Sequence, residues 1–238
     1  MSKPVRTLIK TSLFLLIFAL TYHFCDKATW GFTTARLHTT QDLGLSNHTD
    51  PTPYLQQKFY LRDQGGQSYI FFSEDGTIVL KLFKDMPRPW LILPHYQQKK
   101  IGKLRRTLTG YALAFERIPH DTALLSLHLK PSSTPLPATL IDRLHIAHTI
   151  DLSSTYFILQ KRAEPLSSRP LPLSQLHQLM SRLCLAHISD HDPRLHLNLG
   201  WVGQELIFVD PGRFVDDPNP SSDLPDKFLQ LVSPCDAS

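Results

Sequence analysis

Cysteine and glycine are scarce in this sequence, and charged residues are fewer than in an ordinary soluble domain. The three cysteines, Cys25, Cys184 and Cys235, lie far apart. An odd number at this spacing excludes both a disulfide framework and a CxxC metal pair. Charged residues make up 19% of the 238 positions and the net charge is only +4, which does not indicate a nucleic-acid ligand. Because RNP, zinc-finger and long basic-arm signatures are also missing, we expect no nucleic-acid partner.

The clearest feature that is present is an apolar amino-terminal segment, and residues 1–25 are predicted to be a membrane anchor. Residues 11–25 carry no charge. As a helix they would span roughly 22 Å, which the apolar Leu8 and Ile9 extend toward the ~30 Å of a bilayer core. A cleaved signal sequence is the alternative. Basic residues precede the run, so the positive-inside rule predicts a single-pass protein whose domain lies on the non-cytoplasmic side of a membrane.

Composition divides the rest of the chain into three parts. Residues 26–55 are polar and rich in Thr and His, and they are predicted to be a tether. Residues 56–163 are predicted to be a β-rich lobe with one long helix, and residues 164–238 a small helical lobe. The expected fold class is therefore α+β, with two lobes behind a transmembrane helix.

Turn signals and apolar periodicity place the elements. Three apolar, β-branched runs after residue 57 are separated by Gly65-Gly66 and by Asp75-Gly76. Asp-Gly is a strong hairpin signal, so three antiparallel strands are expected. Further strands are expected at 123–129, 138–146 and 155–162. Apolar residues at helical spacing predict one helix ending near residue 117 and another around 176–183; those of the first are Ile101, Leu104, Leu108, Tyr111, Ala112 and Phe115.

Several chemistry-bearing residues occur in a suggestive order along the chain. A glycine turn is followed by a strand with a lysine between apolar residues, Val79-Leu80-Lys81-Leu82, and then by a helix bearing Glu116. Much later the run SDHDPRLHLNLGWVGQELIFVDPGRF, residues 189–214, places Asp, Asn and Asp-x-Gly around an apolar hairpin. This order resembles the protein-kinase-like superfamily in a highly diverged form. The later run also resembles one in membrane-anchored proteins from chlamydiae, which implies no activity.

The kinase-like resemblance implies ATP and Mg²⁺ as cofactors and assigns roles residue by residue. Gly65, Gly66 and Lys81 would bind the phosphates, with Glu116 as the ion-pair partner of Lys81. In the later run, Asp190 or Asp192 would be the catalytic aspartate. Asn198 and Asp210 would hold the metal.

Departures from the family pattern argue against activity. Two adjacent glycines replace GxGxxG, and Pro211 stands where the family has the Phe of Asp-Phe-Gly. Asn198 lies six positions after Asp192, where the family shows five. We therefore expect a membrane-anchored, degenerate and non-catalytic kinase-like module that binds a protein partner or acts as a scaffold. An ATP- and Mg²⁺-dependent phosphotransferase is the alternative.

A second alternative is a metal-dependent hydrolase that uses the His and Asp residues between 187 and 196. Imidazole and carboxylate groups suit zinc or iron, although the sequence contains no HExxH motif. Its candidate ligands are His187, Asp190, His191, Asp192 and His196.

Overall fold

The fold is α+β, as predicted, in a computed structural model that describes residues 3–39, 42–84, 94–192, 194 and 197–220. A seven-stranded sheet has the order β4-β7-β3-β2-β1-β5-β6. Its strands are β1 (Lys58–Gln64), β2 (Ser68–Ser73), β3 (Ile78–Phe83), β4 (Leu124–His128), β5 (Pro137–Ile141), β6 (Ala147–Asp151) and β7 (Phe157–Lys161). All neighbouring strands are antiparallel except β1 and β5, which run parallel.

Local turn chemistry explains the central hairpins. Gly76 has a positive φ of 72°, which a side chain would strain, and it closes the β2–β3 turn. Asp75 fixes this turn by accepting hydrogen bonds from the backbone of Thr77 (2.9 Å) and the hydroxyl of Ser73 (2.6 Å). The three antiparallel strands expected from the sequence are therefore confirmed. The single strand expected over 138–146 instead ends at Ile141, since the chain turns there into β6.

The amino-terminal segment is one continuous helix, α1 (Lys3–Ala28). Its 26 residues make it about 39 Å long, enough to cross a bilayer core. Within Pro4–Ala28, an 18-residue window has a mean hydropathy of 1.7 and is not buried by the rest of the chain. Length and composition therefore allow α1 to span a membrane, and they leave its orientation open.

The segment 26–55 was expected to be a polar tether, but several of its described residues pack on the sheet instead. Phe32, Leu37 and Leu55 are buried against one face with Phe59, Phe71 and other sheet residues in one hydrophobic cluster. Leu43 belongs to the cluster on the opposite face. The apolar residues of this segment are few and irregularly spaced. They are stabilised by contacts with strands distant in the sequence, which periodicity within the segment cannot indicate.

The opposite face of the sheet packs on a second cluster that joins the two parts of the domain. Helix α2 (Pro94–Arg117) and the short α3 (Pro119–Thr122) connect β3 to β4. Leu104 and Leu108 of α2 share this cluster with Leu176, Leu179 and Phe208 from later in the chain. Helix α2 therefore lies between the large sheet and the carboxyl-terminal part.

The described carboxyl-terminal part contains one α-helix of more than one turn and five short strands, so it is less helical than expected. The helix is α4 (Leu173–Leu185). The strands are β8 (Glu164–Pro165), β9 (Ile188–Asp190), β10 (Leu199–Val202), β11 (Glu205–Phe208) and β12 (Phe214–Asp216). Strand β10 pairs with β8 and β11, and β9 pairs with β12. These two small ladders bring the ends of β9 and β11 and the start of β10 toward α2.

Candidate functional site

Lys81 lies at the centre of the candidate site. It belongs to β3, an interior strand of the large sheet between β7 and β2, and its neighbours Leu80 and Leu82 are fully buried. The ammonium donates hydrogen bonds to the backbone oxygen of Val209 (2.6 Å) and to the hydroxyl of Tyr111 (2.9 Å). Burial lowers the pKa of Lys81, although the carboxylate of Asp210 opposes this change. An early strand and the end of β11 are thus joined across 128 positions of sequence.

Tyr111 connects Lys81 to Asp210. Its hydroxyl accepts from the Lys81 ammonium and donates to Oδ1 of Asp210 at 2.8 Å, while its ring is almost completely buried. Burial, reinforced by the negative charge of Asp210, raises the pKa of Tyr111 well above its usual value, so the phenol stays protonated at neutral pH. Asp210 itself is exposed. The lysine and the aspartate therefore face each other across one tyrosine hydroxyl.

Asn198 is placed beside Asp210 by the β10–β11 ladder. Its backbone oxygen accepts from the N–H of Val209 at 2.7 Å, so the residues that precede β10 and follow β11 are neighbours. The Asn198 side chain is buried, and its Nδ2 atom has no hydrogen-bond partner. A buried N–H donor without a partner is costly, which favours a hydrogen-bond acceptor at this position, such as the nearby Asp192 carboxylate.

Asp190 and Asp192 lie at the end of β9 and in the loop that follows. Oδ1 of Asp190 accepts from the backbone N–H of Asp192 (2.8 Å), and Oδ1 of Asp192 accepts from that of Arg194 (2.9 Å). Burial opposes ionisation of Asp192, but the backbone of Arg194 and the nearby side chain of Asn198 outweigh it, so the pKa of Asp192 is lowered.

Asp190 has the opposite electrostatic environment. Burial raises its pKa to about 6, the negative charges of Asp192 and Asp210 add to this effect, and the backbone hydrogen bond from Asp192 opposes it. Its Oδ2 atom has no hydrogen-bond partner. A partly buried carboxylate with one free oxygen is suited to bind a cation or accept a proton.

These residues fit Mg²⁺ better than a transition metal. Mg²⁺ needs only one or two protein carboxylates together with phosphate and water oxygens, and Asp210, Asn198 and the free oxygen of Asp190 supply oxygen donors. Among the described residues, no three His, Cys, Asp or Glu side chains converge to hold a metal ion. The hydrolase alternative therefore has no support from His187, Asp190, His191 and Asp192, while His196 lies outside the described residues.

The glycine turn differs from a phosphate-binding loop. The Gly65 N–H donates to the backbone oxygen of Ser68 (2.9 Å), and the Gly65 oxygen accepts from the Lys84 ammonium (2.8 Å). A Cβ atom at Gly66 would meet nothing within 4 Å. The turn does approach the site, because the Gln67 side chain donates to Thr107 of α2 at 3.0 Å. The amide of Gly65 is thus already used within the turn.

Glu116 does not pair with Lys81, contrary to the expectation. Its side chain is 58% exposed, and Oε1 lies 3.8 Å from Nε2 of His48. Glu116 follows Tyr111 by five residues, which places the two side chains about 140° apart around the helix. Because Tyr111 faces Lys81, Glu116 faces away from it.

Tyr111 is the site residue that sequence reasoning missed, because its spacing assigned it only to the apolar face of α2. The available signal was its chemistry, since a buried tyrosine hydroxyl usually finds a polar partner. Gly110, next to Tyr111 in α2, allows the turn that carries Asp210 to lie close to the helix. A Cβ atom there would lie 2.5 Å from the oxygen of Pro211, so glycine allows the Asp210-Pro211-Gly212 turn to touch the helix.

Comparison with known proteins reveals similarity only at the level of structure. No family model and no curated protein matches the sequence. A solved structure of WbdD with the kinase inhibitor LY294002 is 17% identical, with a TM-score of 0.40 over 71% of this chain and 35% of that one. A structure described as the bifunctional kinase-methyltransferase WbdD is 16% identical, with a TM-score of 0.39 over 69% and 32%.

Vaccinia related kinase 3 is 11% identical, with a TM-score of 0.31 over 80% of this chain and 55% of that one. The chain thus matches about a third of the WbdD chains and about half of the vaccinia related kinase. None of these matches bears on the resemblance to chlamydial proteins. The neighbours are kinases by description, and the similarity concerns the fold alone.

Proposed function

We propose that this domain is an atypical kinase-like phosphotransferase that binds ATP and Mg²⁺ between Lys81 and Asp210. The convergence of Lys81, Asn198 and Asp210, from three separate elements, supports this proposal. A partly buried cation that faces oxygen ligands is the arrangement that phosphoryl transfer requires, since that reaction depends mainly on positioning and on charge stabilisation.

Each side chain has a role that its environment supports. Lys81 offers a fixed positive charge to phosphate oxygens once its contact with Tyr111 is released. Asp210 and Asn198 would hold Mg²⁺, which when bound neutralises phosphate charge. Asp190 is the better proton acceptor for the attacking hydroxyl, because its pKa of about 6 leaves it ionised but moderately basic at neutral pH. Asp192 is already held by Arg194, and its lowered pKa makes it a weaker base.

Tyr111 must move, or at least turn its hydroxyl away, before phosphates can reach Lys81. In the present arrangement the hydroxyl satisfies the ammonium and the Asp210 carboxylate at once. Nucleotide binding therefore competes with two hydrogen bonds inside the protein. The free energy of those bonds is subtracted from the affinity.

The second candidate is a non-catalytic kinase-like module that binds a protein partner. The closed arrangement favours it, because Lys81 is held by a tyrosine and a backbone oxygen rather than by a carboxylate. The described second lobe also offers only α4 and short strands as a platform for a substrate. On this view the charged residues stabilise the contact between the two parts of the domain.

Binding of ATP separates the candidates. The full-length chain in detergent is heated with and without MgATP, and Lys81→Met and Asp210→Asn are compared with Lys58→Met. Lys58 is an exposed lysine of β1. A rise in melting temperature that is lost in the first two variants and kept in the third supports the site. No rise in the wild-type protein contradicts it. A rise without ATP turnover or phosphorylated product favours the non-catalytic module.

Membrane orientation decides whether nucleotide is available. The basic residues before the apolar run predict, by the positive-inside rule, a domain outside the cytoplasm. The phosphotransferase proposal instead needs a compartment that contains ATP. A reporter fused after Ser238 that is active only in the cytoplasm, paired with one active only outside it, determines the side. An external domain would favour the partner-binding candidate.

A further inference from the structure

The loop between β5 and β6, residues 142–146, holds two large apolar side chains in the solvent. Leu144 is 53% exposed and Ile146 is 52% exposed. Exposed apolar side chains are common singly, but two of them at the tip of one loop form a local apolar surface. We call residues 142–146 the Asp142 loop.

Hydrogen bonds fix the backbone of the Asp142 loop, and this backbone holds Leu144 and Ile146 in their exposed positions. Asp142 is buried, and its Oδ1 atom accepts from the backbone N–H of Leu144 (2.8 Å) and of Ile146 (2.9 Å). Its other oxygen lies 2.9 Å from Nε2 of His148 on β6. His145 adopts a positive φ of 61°, which completes the tight turn. One buried carboxylate therefore fixes the backbone that carries both apolar tips.

The Asp142 loop is attached to the end of the apolar helix α1. The Arg143 guanidinium donates to the backbone oxygen of Lys27 at 3.2 Å and lies over the ring of Trp30, 4.6 Å from its centroid. Lys27 is in the last turn of α1, and Trp30 lies two residues after the helix end at Ala28. Tryptophan and arginine at this point are typical of the membrane–water interface.

We propose that the Asp142 loop docks on the same lipid bilayer that α1 spans, with Leu144 and Ile146 inserted among the outer ends of the acyl chains. The proposal rests on α1 lying in a bilayer and is independent of any activity at Lys81. The direct contact with α1 identifies the occupant, because a loop fixed to the end of a membrane helix lies at the bilayer surface. Two apolar tips and a snorkelling arginine fit the boundary between headgroups and acyl chains.

Labelling at single cysteines tests this docking. In a full-length chain with Cys25, Cys184 and Cys235 replaced by serine, an environment-sensitive fluorophore is attached at Leu144→Cys. The protein is reconstituted in phosphatidylcholine vesicles that contain lipids with a quencher about 5–10 Å below the headgroups, the depth that interfacial segments reach. We expect blue-shifted emission and a loss of intensity relative to vesicles without quencher.

Matched labels make every outcome decisive. Leu185→Cys carries the same fluorophore at an 81% exposed leucine of α4, in the second lobe, and we expect no quenching there. Ile146→Cys repeats the loop measurement if the first variant does not fold. Equal emission at 144 and 185, whether both quenched or both unquenched, overturns the proposal. A label at Phe14→Cys in α1 that stays unquenched removes its premise and overturns it as well.

Discussion

The hydroxyl of Tyr111 is predicted to stabilise the protein and to oppose its ligand. Tyr111→Phe keeps the ring, which packs edge-on against Phe83 with centroids 6.1 Å apart, and removes only the oxygen. Lys81 then keeps its bond to Val209 but loses its second acceptor. Asp210 is exposed and regains water, so its loss is small.

The size of the stability loss follows from the hydrogen bond between Lys81 and Tyr111 that the substitution removes. A hydrogen bond to a buried charged group is worth about 1.5–3 kcal/mol, so Tyr111→Phe should lower the free energy of unfolding by about 2 kcal/mol. If MgATP binds at Lys81 as proposed, it must break the same bond in the wild-type protein. Removing it in advance should therefore tighten MgATP binding by the same free energy, which is about 30-fold in Kd.

Two measurements on the full-length chain in detergent check this prediction: urea unfolding for stability and calorimetric titration for MgATP affinity. Tyr69→Phe is the matched control, because Tyr69 is also a buried tyrosine whose hydroxyl donates within the protein, to the backbone oxygen of Gly31. It should lose stability without gaining affinity. If Tyr111→Phe binds MgATP no more tightly than the wild-type protein, Tyr111 does not occupy the place of the ligand and the competition argument fails.

Three further predictions concern the surroundings of the site. Gly110→Ala places a Cβ atom 2.5 Å from the Pro211 oxygen and should destabilise the fold by about 2–3 kcal/mol in urea unfolding. In the control Gly102→Ala the new Cβ atom meets nothing within 4 Å, so this variant should be neutral or more stable by up to about 1 kcal/mol. Equal losses of stability in the two variants would contradict the close contact at Gly110. Because the pKa of Asp190 is raised to about 6, its contribution to stability is complete below its unfolded pKa of about 4 and is lost as the pH rises through 6. Asp190→Asn should therefore remove about 2–3 kcal/mol of this pH dependence between pH 4 and 7, and an unchanged stability profile would show that Asp190 is not buried as described. Glu116→Gln should alter stability by less than about 0.5 kcal/mol and leave MgATP affinity unchanged, since an exposed pair with His48 contributes little, whereas a large loss of affinity would restore Glu116 to the site.

Local signals predicted the central strands and α2 correctly because neighbours in the sequence decide them. Asp75-Gly76 specifies its turn through a carboxylate and a positive φ, both within three residues of each other. The packing of Phe32 on the sheet depends on strands far along the chain, so it leaves no periodic pattern. The end of β5 at Ile141 likewise depends on the buried carboxylate of Asp142, which looks like an ordinary polar residue in the sequence.

The candidate site shows the same division between local and distant information. Lys81 was identified through the kinase-like resemblance, because it lies between apolar residues on a predicted strand that follows a glycine turn. The same resemblance assigned its partner to Glu116, which is the one glutamate between Glu74 and Glu164. The rotation of α2 rules out this pairing, because only a residue on the same helix face as Tyr111 can reach β3, and Glu116 lies on another face. Charge complementarity alone therefore misassigns a partner whenever the rotation of the helix is unknown.

The contacts of Tyr111 that close the site link the stability of the domain to its proposed function. The bonds from Lys81 to Tyr111 and Val209, and from Tyr111 to Asp210, join the large sheet, α2 and the end of β11. Any ligand that recruits Lys81 and Asp210 must replace these bonds with its own. Substitutions that weaken the closure should therefore lose stability and gain affinity together, as expected where a site is held in a binding-incompetent state. If these contacts only stabilise the fold, the same substitutions would lower stability and MgATP would still not bind. A gain in MgATP affinity that accompanies a loss of stability therefore distinguishes a closed binding site from a core that only contains charged residues.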